Sequence, residues 1–188
     1  PTFLLALADD ELLIGHRASE WTGLGPLLEA DLALSSIAQD EMGHALLLYT
    51  HLHEAFDLPD PDQLVYYRPA AEYRNATFCE LPRGDWGEAV VRHFLYDLAE
   101  QIRWEALTHS TYAPLATIAK KVFPEERYHL IHGQTWMKRL AQGTEESHKR
   151  MQAWVDGQTN GQMDGYMDAW MNKCGGMKNL GSQRQSRN

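Results

Sequence analysis

The chain has 188 residues, 26 acidic against 17 basic side chains, a formal charge of −9 and 44 % apolar composition. That suffices for one domain with a sizeable core, and the acidic balance excludes a phosphate-backbone reader, whose affinity comes from clustered Lys and Arg. Cys79 and Cys174 make no disulfide framework, no apolar run approaches the roughly 18 residues of a spanning helix, and the apolar start Pro1–Ala8 lacks the basic flank of a signal peptide, so a cytoplasmic protein with no nucleic-acid or membrane partner is expected.

Apolar positions at helical spacing (Leu4, Leu5, Leu7, Leu12, Ile14, Ala18, Trp21) predict a first helix over 3–22. Gly23-Leu24-Gly25-Pro26 breaks it and places a proline for the next helix's first turn. The longest periodic stretch follows, Leu27 to Phe56, through Leu28, Leu32, Ile37, Ala38, Met42, Ala45, Leu48 and Leu52. Four of the eight prolines then fall in 59–84, which reads as a long connection. Asp85 is placed to cap a third helix through Trp86, Val90, Val91, Phe94, Leu95, Leu98, Ile102 and Leu107 to about Thr111. A fourth runs from Pro114 to Leu140 and ends at Gly143, with Pro124 inside it expected to bend it. A shorter fifth starts at Thr144-Glu145-Glu146 and runs through Trp154.

No stretch alternates as a strand does. The expected fold is all-α: two long helical hairpins joined by one long crossover, the ferritin-like four-helix bundle, with short C-terminal helices. The bundle is placed at 1–156. Residues 157–188 hold 6 of the 14 glycines, a short amphipathic segment (Met163, Tyr166, Met167, Trp170, Met171) and a polar end, and read as a docking turn with a flexible tail.

Two five-residue runs carry the chemistry. Asp40-Glu41-Met42-Gly43-His44 lies mid-way along the second helix and Glu125-Glu126-Arg127-Tyr128-His129 mid-way along the fourth. Both read acid-Glu-x-x-His, and a Glu and a His three residues apart on a helix share one face about one turn apart, so both can ligate one ion. A third Glu-x-x-His, Glu145 to His148, opens the fifth helix, where acids are favoured in any case. His16, His51, His53, His93, His109, His132 and His148 read as ordinary surface or core residues.

A two-metal site needs a carboxylate from each remaining helix as well. On the third helix the candidates are Asp97, Glu100 and Glu105. A hairpin turning near Tyr112 sets Asp97 level with residue 127, between Glu126 and His129. On the first helix the candidates are Asp9, Asp10, Glu11 and Glu20. A plain hairpin about Leu24 sets residue 8 opposite Glu41 and favours Asp9–Glu11, whereas Glu20 lies beside Trp21 in the apolar stripe; geometry leaves this ligand open. Four carboxylates and two imidazoles balance two divalent cations, and this oxygen/nitrogen donor set suits iron, with manganese as the alternative, better than zinc. Such a site activates dioxygen for transfer to an electron-rich substrate. Asp40 and Glu125, each four residues before a histidine, are candidate supporting partners of the ligands.

The run from Asp10-Glu11-Leu12 to Ser19-Glu20-Trp21, Leu32-Ala33-Leu34 leading into Asp40–Ala45, Glu126-Arg127-Tyr128-His129-Leu130, and Trp136 to Gly143-Thr144 together resemble the phenylacetyl-CoA ring epoxidase family. The resemblance covers about residues 8–155 and is nearest to the C-type subunit. It implies a ferritin-like fold and a multicomponent monooxygenase of aerobic phenylacetate degradation. In that system an A-type subunit holds the di-iron centre and epoxidises the aromatic ring of phenylacetyl-CoA, with NADPH-derived electrons arriving from a separate reductase. It implies homodimeric or hetero-oligomeric assembly with the A-type subunit. The C-type chains usually act as structural partners and typically lack the helix-two Glu and His, which this sequence has as Glu41 and His44. The resemblance places the helix-one ligand at Glu20 and the helix-three ligand at Asp97, so the implied set is Glu20, Glu41, His44, Asp97, Glu126 and His129. Three readings follow: an epoxidase subunit binding two irons, a metal-free scaffold subunit, or an iron-oxidising protein on the same bundle.

Overall fold

In the computed structural model, residues 1–159 are described, with side chains through Trp154. Five helices account for most of them: α1 (Thr2–Ser19), α2 (Leu28–Phe56), α3 (Trp86–Leu107), α4 (Ala113–Ala141) and α5 (Glu145–Thr159). No strand occurs among the described residues. α1 pairs with α2 and α3 with α4 as two hairpins, and the connection between them carries one π-helical turn (Gln63–Tyr67) and two 3-10 turns (Ala70–Glu72, Thr77–Glu80). This is the all-α, one-crossover bundle of the ferritin-like kind. α5 runs across position 156; the amphipathic segment expected at Met163–Met171 lies outside the described residues.

The helices end where local chemistry stops them. α1 closes three residues earlier than its periodicity suggests, because Trp21 and Thr22 donate tighter bonds to Ala18 (3.1 Å) and Ser19 (3.0 Å). Gly23 then takes φ +81°, a left-handed conformation that side chains resist, and its N–H donates to Asp31 at 2.7 Å. α3 begins on a reciprocal cap: Glu88 N–H donates to Asp85 (2.9 Å) and Asp85 N–H donates to Glu88 (2.7 Å). Asp85→Ala is therefore expected to cost about 1 kcal/mol in urea unfolding. Pro124 lies inside α4, which continues through it to Ala141.

Apolar residues pack at both ends of the bundle. One end holds Leu7 and Ala8 of α1, Leu48 and Leu52 of α2, Trp104 of α3 and Val122 of α4. The other holds Trp21, Leu34, Ile37 and Ala89, with the Trp86 ring edge-on to both Trp21 and Trp136. On each of α1 to α4, buried ionisable residues lie between these ends: Asp9, Asp10 and Glu11; Glu41 and His44; His93, Asp97 and Glu100; Glu126 and His129. A layer of ionisable groups enclosed by two apolar plugs is costly unless its members satisfy one another or take up an ion.

Two of these acids hold the crossover. Asp9 accepts hydrogen bonds from Tyr49 Oη (2.6 Å), from Arg68 and from the Arg74 N–H (2.7 Å). Asp10 accepts from the Ala76 N–H (2.6 Å) and from Arg103 (3.2 Å). At the far end of the crossover, buried Arg92 donates to the carbonyls of Leu81 (2.9 Å), Pro82 (2.6 Å) and Arg83 (3.2 Å). Among the described residues no helix is long and apolar enough to cross a membrane.

Candidate metal centre

Helical spacing puts Glu41 with His44, and Glu126 with His129, on inward faces of α2 and α4. Ligating atoms of Glu11, Glu41, His44 and Glu126 all lie within 4.8 Å of one another, and all four residues are buried. His44 Nδ1 is 3.1 Å from Glu126, 3.3 Å from Glu11 and 3.8 Å from Glu41. His129 Nδ1 is 3.4 Å from Glu41 and 3.6 Å from Glu126. Glu41 and Glu126 thus each stand between the two imidazoles, presenting one oxygen to each.

The outward nitrogens are held by the acids that precede the two glutamates. His44 Nε2 is 2.6 Å from Glu125, and His129 Nε2 is 3.2 Å from Asp40. Each acid therefore serves the histidine of the opposite helix rather than the one four residues along its own. The pairing of 40 with 129 and 44 with 125 shows that α2 and α4 run antiparallel here. The two runs are related by a local two-fold arrangement.

α1 contributes Glu11. The turn at Gly23 sets the hairpin register, and Gly15 lets the helices approach closely at the site, since a Cβ there would lie 2.9 Å from Glu41 Cβ. Glu20 is not brought to the cluster: it caps the C-terminal end of α1, is partly exposed, and pairs with Arg17 at 2.5 Å. Nine residues separate it from Glu11, more than two helical turns along the axis, so one helix cannot offer both to the same layer. Glu11 lies in the Asp9–Glu11 stretch that a plain hairpin sets opposite Glu41.

A family model described as "Phenylacetic acid catabolic protein" matches residues 2–158. The chain belongs to the phenylacetic acid catabolic protein family. It is 33 % identical over 154 residues to the C-type subunit of 1,2-phenylacetyl-CoA epoxidase from Escherichia coli K12, with 82 % of this chain and 62 % of that one covered. It is 28 % identical over 133 residues to the A-type subunit of the same organism's epoxidase, with 70 % of this chain and 42 % of that one covered. The chain thus spans less than two thirds of the length of each of these relatives.

Helix three of this family member offers two buried acids, and they differ. Glu100 is ion-paired with Arg103, whose guanidinium also reaches Asp10 (3.2 Å), Tyr96 Oη (3.3 Å) and, at 4.0 Å, Glu11. Asp97 Oδ1 has no hydrogen-bond partner among the described residues. Burial pushes the Asp97 carboxyl well up; His129 opposes this, and Glu126, Glu41 and Glu11 reinforce it. Asp97 thus sits within electrostatic reach of the cluster. Trp104 completes the wall by donating its indole N–H to Glu11 at 3.3 Å. Arg103 and Trp104 escaped the sequence reading because neither residue type belongs to a ligand motif.

In the metal-free chain the imidazoles offset the carboxylates. Burial alone lowers the His129 imidazole, but the carboxylates of Glu126 and Glu41 facing its Nδ1 outweigh it and push it up to about 12. His44 is raised likewise by Glu11, Glu126 and Glu41 against its burial. The donor set fits a cation: both oxygens of Glu41, both of Glu126 and Nδ1 of His129 are buried without a well-directed hydrogen bond. Carboxylate oxygens and imidazole nitrogens converging in a buried layer are a donor set that a divalent ion can take in place of the imidazole protons.

His93, read from sequence as a surface or core residue, is buried on α3. Burial, then the neighbouring Arg92, push its imidazole down to about 3, while Glu41 pulls the other way and His132 and His129 add to the lowering. An unfolded imidazole takes a proton below about 6.5, so stability from neutral His93 is full above that value and falls as the pH drops towards 3. The slope is about 1.4 kcal/mol per pH unit. Between pH 7 and 5, His93→Leu is expected to lose about 2 kcal/mol less than the parent, as read by urea midpoints at the two pH values.

Proposed function

We propose that this chain is a subunit of a multicomponent phenylacetyl-CoA ring 1,2-epoxidase and itself holds two metal ions, iron by donor type with manganese as the alternative. The observation that carries this is the pair Glu41 and Glu126, each set between two imidazole Nδ1 atoms, in a member of this family. Glu11, Glu41, His44, Asp97, Glu126 and His129 would hold the ions. When bound, the two ions supply electrons to dioxygen so that one oxygen atom can be transferred to the aromatic ring.

The chain's own residues then have definite tasks. Asp40 and Glu125 accept the Nε2–H of His129 and His44, which orients both rings and leaves Nδ1 facing inward. Trp104 and the apolar plugs on either side keep bulk water away. Arg103 pairs with Glu100 and Asp10, which engages those two carboxylates away from the proposed ions. Asp40→Asn or Glu125→Gln is expected to weaken Co(II) binding about 10- to 100-fold without unfolding the chain, as measured by titration of visible absorption.

The partners proposed are a reductase passing electrons from NADPH and a catalytic A-type subunit, in a homodimeric or hetero-oligomeric cytoplasmic assembly acting on phenylacetyl-CoA. The bundle is proposed to span residues 1–156. Metal analysis of protein reconstituted anaerobically with Fe(II) tests the reading. Two irons per chain, lost in Glu41→Ala/His129→Ala, is the expected result; a chain that takes up no divalent ion sinks it.

One observation favours a second reading. Arg103 brings a permanent positive charge to within 4.0 Å of Glu11, and the raised imidazoles add two more. A network balanced in this way is also a workable polar core for a metal-free scaffold subunit. That reading expects tight binding of an A-type partner by a chain that takes up no metal.

A further inference from the structure

A small pocket opens on the α3–α4 seam, lined by Trp86, Val90, His93, His132, Gly133 and Trp136 among others. Its walls are mostly apolar, yet they carry nitrogens that nothing satisfies. Both ring nitrogens of His93, Nε2 of His132 and Nε1 of Trp86 are buried without a hydrogen-bond partner among the described residues. His93 is 3 % exposed, so bulk water does not serve it. The space available to the centre of a water-sized molecule is about 10 Å³, near the ~10–15 Å³ that one buried water needs. An aromatic ring or a coenzyme group does not fit.

The pocket's position gives it a direction. His132 on α4 is half-buried, so part of its side chain meets solvent. His93 lies one turn before Asp97 on α3, and His132 lies three residues after His129 on α4. Gly133 is the thin point between pocket and cluster, because a Cβ there would stand 3.4 Å from Asp97 Oδ2. We propose that His93 and His132 hold one ordered water in this pocket, forming a hydrogen-bonded route between solvent and the Asp97 side of the metal layer. A neutral imidazole donates at one nitrogen and accepts at the other, and water does both, so this chain of groups can pass a proton along without a charged group being stored in the pocket.

The use of this route rests on the di-metal reading, since monooxygenation takes up protons as one oxygen atom leaves as water. The test does not rest on it, because it uses the full chain stripped of metal. A high-resolution crystal structure is expected to show one oxygen within hydrogen-bond distance of a nitrogen of both His93 and His132. Exchange of the His93 ring N–H with solvent, followed by NMR, is expected to slow at least tenfold in His132→Phe and to stay near the parent rate in His132→Gln. No ordered oxygen between the two rings overturns the water site, and unchanged exchange in His132→Phe overturns the route. The metal content of the same protein after reconstitution judges the di-metal reading separately.

Discussion

Glu11→Ala is expected to weaken divalent-ion binding more than 100-fold, while Glu20→Ala leaves it within about twofold of the parent. The first substitution removes a fully buried carboxylate whose oxygen lies 3.3 Å from His44 Nδ1, inside the group of four converging ligands. The second removes a partly exposed acid whose partner is Arg17 and whose helix end lies more than two turns away. Supporting residues alone are worth about 10- to 100-fold in metal affinity, so loss of a direct ligand is expected to exceed that range. Co(II) titration of both variants, with circular dichroism to confirm folding, reads the difference. Equal weakening by the two substitutions would remove Glu11 from the proposed site.

Asp9→Ala is expected to be the most destabilising single change in α1, at about 3–5 kcal/mol. Asp9 gathers Tyr49 from α2, the Arg68 side chain and the Arg74 backbone from the crossover onto one buried carboxylate. Its removal leaves the Arg68 guanidinium, 6 % exposed, with no opposing charge. The penalty comes from that stranded charge more than from the lost attraction. Asp9→Ala/Arg68→Met should therefore recover much of the loss, since apolar replacement of both members of a buried pair is often near neutral. Urea unfolding of the two single variants and the double variant closes the cycle; strict additivity would show that the pair does not act as a unit.

Much of the architecture is legible in the chain because it rests on local rules. The apolar period placed all five helices, Asp85 marked the start of α3 through its cap, and the proline-rich 59–84 marked the crossover. The acid-Glu-x-x-His runs are legible for the same reason: three residues on a helix return to one face whatever surrounds it. Periodicity overran at the ends of α1 and α3, where 3-10 bonds at Trp21 and Thr22, and bonds from Thr108 and His109 back to α3, turn the chain before the apolar pattern stops.

By itself the sequence determined which side chains share a helix face, and so the pairing of Glu41 with His44 and of Glu126 with His129. Only the tertiary structure decided what stands opposite those faces. It set Glu11 rather than Glu20 in the layer, crossed Asp40 to His129 and Glu125 to His44, put Asp9 and Asp10 on the crossover, and brought Arg103 to Asp10. The physical reason is register. A helix's period is written in its own residues, but its slide along a neighbour depends on the turn geometry at Gly23 and the close approach at Gly15. A shift of a few residues there exchanges one acid of α1 for another beside the two histidines.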